Sequence, residues 1–203
     1  MSHPQPPSVD AWRPWTPREV AERLAGIDVL WCVIGGYAID LFLGRETRPH
    51  HDIEIATTRD GFPAIRERLQ QQHVLYAVGD GTLRRLAPSD PYPKDRHQCW
   101  VLEEGIAAWR LDVMQEPGDA ATWRFRRDER IAAPRANIVR YTHDSIAYLA
   151  PEAVLLFKAK GMREKDKSDF TLVAPLLPPT QRAWLLDALS RTHHGHSWIA
   201  ALR

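Results

Sequence analysis

Acidic and apolar residues alternate in a short segment that restricts the possible folds more than any other part of the sequence. Residues 51–56 read HDIEIA, so Asp52 and Glu54 alternate with two isoleucines. A period of two is typical of a β-strand, whose successive side chains point to opposite faces. The two carboxylates are therefore predicted on one face, about 6.6 Å apart along the strand. Carboxylates placed in this way can bind a hard divalent cation such as Mg²⁺, which prefers oxygen ligands.

A pair of glycines precedes this segment and predicts a phosphate-binding turn. The apolar run of residues 30–34 is followed by Gly35 and Gly36, and then by a short apolar stretch that Gly44 ends. This order predicts a buried strand, a tight turn and a short helix. A backbone without side chains lets a phosphate approach closely, and a helix N-terminus directs N–H groups at it. Three further candidates for phosphate contacts precede the carboxylates, with surface or packing roles as the alternative: Arg45, Arg48 and His50.

Composition excludes several classes of protein. The net charge of +1 gives no global field that would attract nucleic acid, so a nucleic-acid partner is not expected. No apolar run reaches the length of a membrane span, and the N-terminus lacks the apolar core of a signal peptide. Cys32 and Cys99 lie in apolar runs and are predicted to be buried thiols in a reducing compartment, so a cytoplasmic location is expected.

The order of predicted elements indicates an α/β (α+β) fold with a mixed β-sheet flanked by helices. An irregular N-terminal arm is expected over residues 1–15, and Thr16 is predicted to cap the first helix. The core is predicted over residues 16–134, where helices and strands alternate before a run of strands. A mainly helical C-terminal subdomain is predicted over residues 135–203.

The segment GGYAIDLFLGRETRPHHDIEI, from Gly35 to Ile55, resembles the active-site signature of the nucleotidyltransferase superfamily. It is most similar to the aminoglycoside and lincosamide nucleotidyltransferases of antibiotic resistance. The resemblance implies the core fold of the nucleotidyltransferases and one or two bound Mg²⁺ ions. It further implies transfer of a nucleoside monophosphate from an NTP, expected to be ATP. It also implies a small-molecule hydroxyl as acceptor and pyrophosphate as product. Glu54 departs from the Asp usual in those enzymes, and Tyr37 from their small residue or Trp.

The resemblance also implies a third acidic residue on a later strand, as a metal ligand or as the general base. Asp112 is the best candidate, because it alternates with Leu111 and Val113 as a strand residue does. A solvent-facing acid on an edge strand is the alternative. The other acids of this region lie in a Pro-rich loop or at a turn: Asp90, Asp95, Glu103 and Glu104.

Lys158 lies near the end of a predicted apolar helix and can neutralise a phosphate as a point charge. Compensation of the helix dipole is the alternative, and it is the favoured interpretation of Lys160. Asp166 and Asp169 are interpreted as structural. The segment WRFRRDERI, residues 123–131, is interpreted as a strand with a charged outer face rather than as an acceptor site.

Three other functions compete with small-molecule modification. The same fold can modify a protein or RNA, as in toxin–antitoxin systems, and an exposed apolar groove would favour that function. A non-catalytic nucleotide-binding module is a second alternative, although it would have no reason to keep two neighbouring carboxylates. A metal-dependent phosphohydrolase would need a cluster of His and Asp ligands, and the histidines are scattered in the sequence.

Overall fold

The computed structural model of the protein describes residues 5–203. Its strands are β1 (Trp31–Ile34), β2 (Glu54–Thr58), β3 (Val74–Gly79), β4 (Thr82–Leu86), β5 (Gln98–Glu103), β6 (Ala108–Glu116), β7 (Thr122–Phe125), β8 (Asp128–Pro134), β9 (Val139–Tyr141) and β10 (Ala147–Leu149). Eight of them form one mixed sheet in the order β4-β3-β5-β6-β2-β1-β10-β9, and β7 pairs with β8 in a separate hairpin. The α/β class predicted from the sequence is confirmed.

Eight α-helices flank the sheet. They are α1 (Pro17–Arg23), α2 (Gly35–Leu43), α3 (Phe62–Gln70), α4 (Arg135–Ile138), α5 (Pro151–Lys158), α6 (Glu164–Val173), α7 (Pro179–Thr192) and α8 (Ser197–Leu202). Local chemistry explains where several of them begin and end. Thr16 caps α1 in a capping box with Glu19, as its position before a proline predicts. Gly44 ends α2 in the left-handed conformation, with φ of 66°.

The two faces of the main sheet differ in chemistry. On one face, Val33, Ile55, Val113 and Cys99 are mutual neighbours across four strands, and all are buried in the core with α2 and α3. On the other face, the next row of neighbours places Glu54 beside residues of β6 and β5. Because paired residues of adjacent strands share a face, this row is the polar face that the alternating sequence predicts.

The N-terminal arm is irregular where the structure describes it, and residues 1–4 lie outside the described part. The arm runs beside the start of β6, where Trp12 forms a parallel bridge to Trp109. The backbone N–H of Arg13 donates to the carbonyl of Trp109, and that of Trp15 donates to the carbonyl of Arg110. The arm therefore pairs with the edge of β6 as far as Arg110, just before the point along β6 at which β2 begins to pair.

The C-terminal third is less helical than the sequence predicts. Residues 139–141 and 147–149 belong to the main sheet, so helices dominate only from Pro151 onwards and not from residue 135. β10 pairs in parallel with β1, with Tyr148 opposite Val33. Alternation could not reveal β10, because its three residues are all buried.

No helix within residues 5–203 combines the length and apolar character needed to cross a bilayer. Cys32 and Cys99 are both free and buried, as predicted.

Candidate active site

Two acidic residues, the half-buried Glu54 and the buried Asp112, lie next to each other on the polar face of the sheet. Glu54, the first residue of β2, is paired in register with Asp112 of β6. Burial raises the pKa of the Glu54 carboxyl, and the nearby charge of Asp52 adds to the rise. Burial also raises the pKa of Asp112 well above its usual range, and the Glu54 charge contributes. Two like charges are therefore held together at some electrostatic cost.

The Asp112 carboxylate has one paired and one unpaired oxygen. Gln98 of β5 donates a hydrogen bond from Nε2 to Oδ2 at 2.5 Å. Oδ1 is buried and accepts no hydrogen bond from any described residue. A buried acceptor without a partner carries a desolvation cost that a bound cation or a donor hydrogen can remove.

Asp52 lies before β2 and not within it. β2 begins at Glu54, although the backbone N–H of Asp112 already donates to the Ile53 carbonyl at 2.9 Å. The strand predicted from residue 51 therefore starts later than its alternation indicates. Asp52 is half-buried and close enough to both other acids to raise their pKa values.

The two glycines are the first residues of α2, rather than a separate turn, and other side chains occupy the space beside them. Gly35 has φ of 67°, and a Cβ atom there would lie 2.1 Å from Oε2 of Glu54. A Cβ atom on Gly36 would lie 2.5 Å from Nδ1 of His50 and 2.7 Å from Nη2 of Arg48. Glycine is required at both positions because these side chains approach the backbone so closely.

His50 and Arg48 belong to a buried hydrogen-bonded chain. His50 Nε2 lies 2.5 Å from Oδ2 of Asp40, and its Nδ1 lies 3.0 Å from Nη1 of Arg48. Its ring also packs on Tyr37, with centroids 4.3 Å apart. Arg48 continues the chain to Asp169, with an Nη2–Oδ2 distance of 3.6 Å. These contacts hold the backbone near the glycines in place, which favours the packing role over direct phosphate contact.

Lys158, at the end of α5, joins this chain from the other side. Its Nζ lies 2.7 Å from Oδ2 of Asp169 and 3.3 Å from Oδ1 of Asp166. Asp166 also accepts hydrogen bonds from Arg163. The acids that the sequence assigns to structural roles are therefore the partners of the lysine assigned to phosphate. Lys158 also lowers the pKa of Glu54 by its charge.

Four cationic side chains line a cleft beside Glu54 and Gly35. They are Arg126, Arg127, Lys158 and Arg163. Burial lowers the pKa of Arg126, and no described acidic side chain pairs with Arg126 or Arg127. Arg127 donates to the Phe157 carbonyl at 2.8 Å. The half-buried Arg126 and the exposed Arg127, both without an acidic partner, are suited to bind an anion.

Sequence reasoning missed Arg126 and Arg127 as cleft residues, because it assigned their segment to a charged outer face. The turn between β7 and β8 directs them to the cleft, while Trp123 and Phe125 are fully buried in the core. By contrast, the Arg45 side chain is exposed. The backbone N–H of Arg45 donates a hydrogen bond to the carbonyl of Asp40.

No group of three or more His, Cys, Asp or Glu side chains in the described part of the chain is arranged to hold a metal ion. The C-terminal histidines have local structural contacts instead. His196 caps α8 by accepting from the Trp198 N–H at 3.1 Å, and His193 contacts Thr192. Any metal in the candidate site would therefore be held by the acid pair together with substrate oxygens, which is a common arrangement for Mg²⁺.

A mixed sheet that presents acidic residues beside a glycine pair and a cationic cleft defines a nucleotidyltransferase. The sequence profile of the aminoglycoside-2''-adenylyltransferase family matches residues 18–172, and the chain belongs to this family. The prediction of an enzyme of the nucleotidyltransferase class is thereby confirmed. None of the curated protein sequences matches the chain.

Two solved structures share the fold at low sequence identity. The solution structure of the antibiotic-resistance factor ANT(2'')-Ia is 14% identical, with a TM-score of 0.56 over 88% of this chain and 95% of that one. The crystal structure of the lincosamide antibiotic adenylyltransferase LnuA, bound to lincomycin, is 17% identical. Its TM-score is 0.53, over 76% of this chain and 91% of that one.

Proposed function

We propose that the protein transfers the AMP group of ATP to a hydroxyl of a small antibiotic-like molecule, with Mg²⁺ held by Glu54 and Asp112 and with the charge of Asp52 beside them. The observation that carries this proposal is the neighbouring pair of Glu54 and Asp112 beside a cationic cleft. Arg126 and Arg127 have no acidic partner among the described residues, whereas Lys158 and Arg163 are paired with acids of α6. A nucleoside triphosphate with Mg²⁺ balances the acid pair and these two free arginines, because the metal meets the carboxylates and the phosphates meet the cations.

The acid pair fits a magnesium ion on the chemistry of its donors. Mg²⁺ usually takes one or two carboxylates and completes its octahedron with water and phosphate oxygens. The unpaired Oδ1 of Asp112, and the pKa values that burial raises in both acids, support a bound cation at this point. When bound, Mg²⁺ supplies Lewis-acid stabilisation of the charge on the reacting phosphate oxygens.

The side chains of the protein divide the remaining work. Lys158, Arg163, Arg126 and Arg127 hold the triphosphate in the cleft and neutralise the leaving pyrophosphate. The Asp112 oxygen that does not hold the cation takes the proton of the acceptor hydroxyl as the new O–P bond forms at the α-phosphate and the bond to the β-phosphate oxygen breaks. His50 and Arg48 keep the start of α2 in position against Glu54. The phosphate role of Arg45 stays a prediction from the sequence alone.

The acceptor is proposed from the family and from the fold relatives. The family is named for adenylyl transfer to aminoglycosides, and LnuA is solved with lincomycin. Amino-sugar and lincosamide antibiotics are therefore the first compounds to test. The screen uses ATP labelled in the α-phosphate with Mg²⁺, and measures label transfer and pyrophosphate release with tobramycin and lincomycin.

Glu54→Gln tests the assignment of the acid pair. We expect at least about a 100-fold loss of transfer, because a neutral amide no longer holds the charge of the phosphate-bound cation. The matched control is Glu104→Gln, which changes an exposed glutamate directly after β5 and should transfer at the normal rate. A Glu54→Gln protein with normal turnover contradicts the proposed site.

A further inference from the structure

A cluster of aromatic side chains lies on the same sheet face as the acids and has no part in the site described above. Tyr76, Leu102 and Trp109 form a second, small core, separate from the main one, against which Trp12 and Trp100 pack. The Trp12 and Trp100 ring centroids are 5.1 Å apart, and those of Trp100 and Trp109 are 5.2 Å apart.

The register of the sheet explains why this cluster borders the acids. Trp100 of β5 is the direct neighbour of Asp112, and its other neighbour is Tyr76 of β3. The indole lies close enough to Asp112 to lower the pKa of that carboxyl. A bulge follows, where Leu102 pairs with Trp109 instead of Arg110. The extra residue turns Trp109 onto the face of the acids.

The N-terminal arm completes the cluster. Its bridge to Trp109 places Trp12 beside Trp100 and beside His51, whose ring centroid is 6.3 Å from that of Trp12. His51 directly precedes Asp52. Trp109 is fully buried, but Trp12 and Trp100 are only partly buried and His51 is exposed. The cluster therefore has a packed base and an accessible aromatic surface.

The aromatic surface and the cationic cleft adjoin different members of the acid pair. Gly35 and Lys158 line the cleft together with Glu54, and Trp100 adjoins Asp112 from the β5 side. In an in-line displacement, the attacking and leaving oxygens lie on opposite sides of the phosphorus atom. If the cleft holds the leaving pyrophosphate, the aromatic surface lies where the acceptor must approach.

We propose that Trp12, Trp100 and His51 form the acceptor platform, which binds an amino-sugar ring whose hydroxyl points to Asp112. This assignment rests on the proposed function and names its substrate class. A saturated sugar ring presents apolar C–H groups on one face, which pack against an indole, and hydroxyls at its edge. An ammonium group of the same ring is attracted by the negative face of tryptophan.

Trp12→Ala tests the platform, because the arm supplies this residue and it is remote from the cleft. We expect the Kd for lincomycin or tobramycin, whichever the wild-type protein binds, to rise about tenfold. Quenching of tryptophan fluorescence without ATP measures this binding even where no turnover occurs. Trp12→Phe should restore most of the affinity, which separates loss of the ring from a general loss of folding. Tyr141→Ala, which removes an exposed aromatic ring from β9, is the matched control and should bind normally.

The outcomes separate this inference from the proposed function. A KM for ATP that stays within about twofold, together with weaker antibiotic binding, supports the platform. Unchanged antibiotic binding in Trp12→Ala, or an equal loss of ATP binding, overturns it. Absence of saturable quenching with both antibiotics in the wild-type protein also overturns it. By contrast, normal transfer by Glu54→Gln overturns the proposed function whatever Trp12 does.

Discussion

Two groups of carboxylates, Asp166 with Asp169 and Asp112 with the half-buried Glu54, lie near each other in this protein and differ in their partners. Asp166 and Asp169 are 0% and 1% exposed, at least as buried as Asp112 at 2%. Burial raises the pKa of Asp166, but hydrogen bonds from Arg163 and the charge of Lys158 outweigh it and the pKa is lowered. Burial raises the pKa of Asp112, and the charge of its neighbour Glu54 raises it further where Asp166 has cations instead.

The difference teaches that burial alone does not distinguish a structural charge from a functional one. The charges near α6 are matched within the protein, so this group stabilises the native state whether or not a ligand binds. The acids at Glu54 and Asp112 are matched only when a ligand brings positive charge. Loss of a partner should therefore destabilise the first group, whereas loss of a charge should stabilise the second.

The largest expected effect comes from Lys158→Met. This change leaves two buried carboxylates without their shared cation, and we expect the free energy of unfolding to fall by about 3–5 kcal/mol. Urea unfolding followed by circular dichroism measures it. Lys160→Met, an exposed lysine two residues further on, is the control and should change stability by less than about 0.5 kcal/mol. Equal stability of the two variants would contradict the conclusion that the carboxylates of α6 depend on a cation within the protein.

Asp112→Asn should raise the stability of the protein, whereas Lys158→Met should lower it. Because the native pKa of Asp112 is raised, the native state binds this proton more tightly than the unfolded chain. The wild-type protein therefore loses stability as the pH rises from the ordinary aspartate range to the native pKa. The asparagine variant lacks this loss, so its Tm should exceed the wild-type Tm more at pH 8 than at pH 4. A Tm difference that shrinks with rising pH would contradict the assignment, and transfer activity should be lost at every pH.

The smallest effect is expected at an exposed ion pair. Arg18 and Glu22 lie 3.2 Å apart on α1, with side chains 80% and 63% exposed. Water and salt screen such a pair, so Arg18→Ala should change stability by less than about 0.5 kcal/mol. Thermal unfolding at low and high salt checks it. A larger, salt-dependent loss would show that distance matters more than burial for ion pairs in this protein.

Much of the fold can be predicted from local sequence patterns. The contacts that build the candidate site are less predictable in this way. Alternation predicts that Glu54 and Asp112 belong to strands, and the capping signal at Thr16 predicts α1. The predicted start of β2 was wrong, because the start of this strand depends on how another segment of the chain packs. The arm already occupies the edge of β6 at Trp109 and Arg110, so β2 pairs only beyond that point.

Side-chain partners far apart in the sequence account for the remaining differences. Arg48 and His50 precede the acids and so suggest phosphate contacts, but Asp40 and Asp169 are their partners in the folded chain. Nothing in the local sequence marks a pair separated by more than a hundred residues. Arg126 likewise reaches the cleft only because the hairpin of β7 and β8 folds over α5.

The position of β10 has a consequence for how the protein is made. During translation, β1 leaves the ribosome long before its second neighbour, which begins at Ala147. At ordinary rates of synthesis the delay is on the order of ten seconds. Until then β1 has an open edge, and Glu54 faces a nascent chain that still lacks Lys158. The ribosome-bound intermediate thus exposes a pairing edge that chaperones can protect, and nucleotide binding should begin only after α5 has emerged.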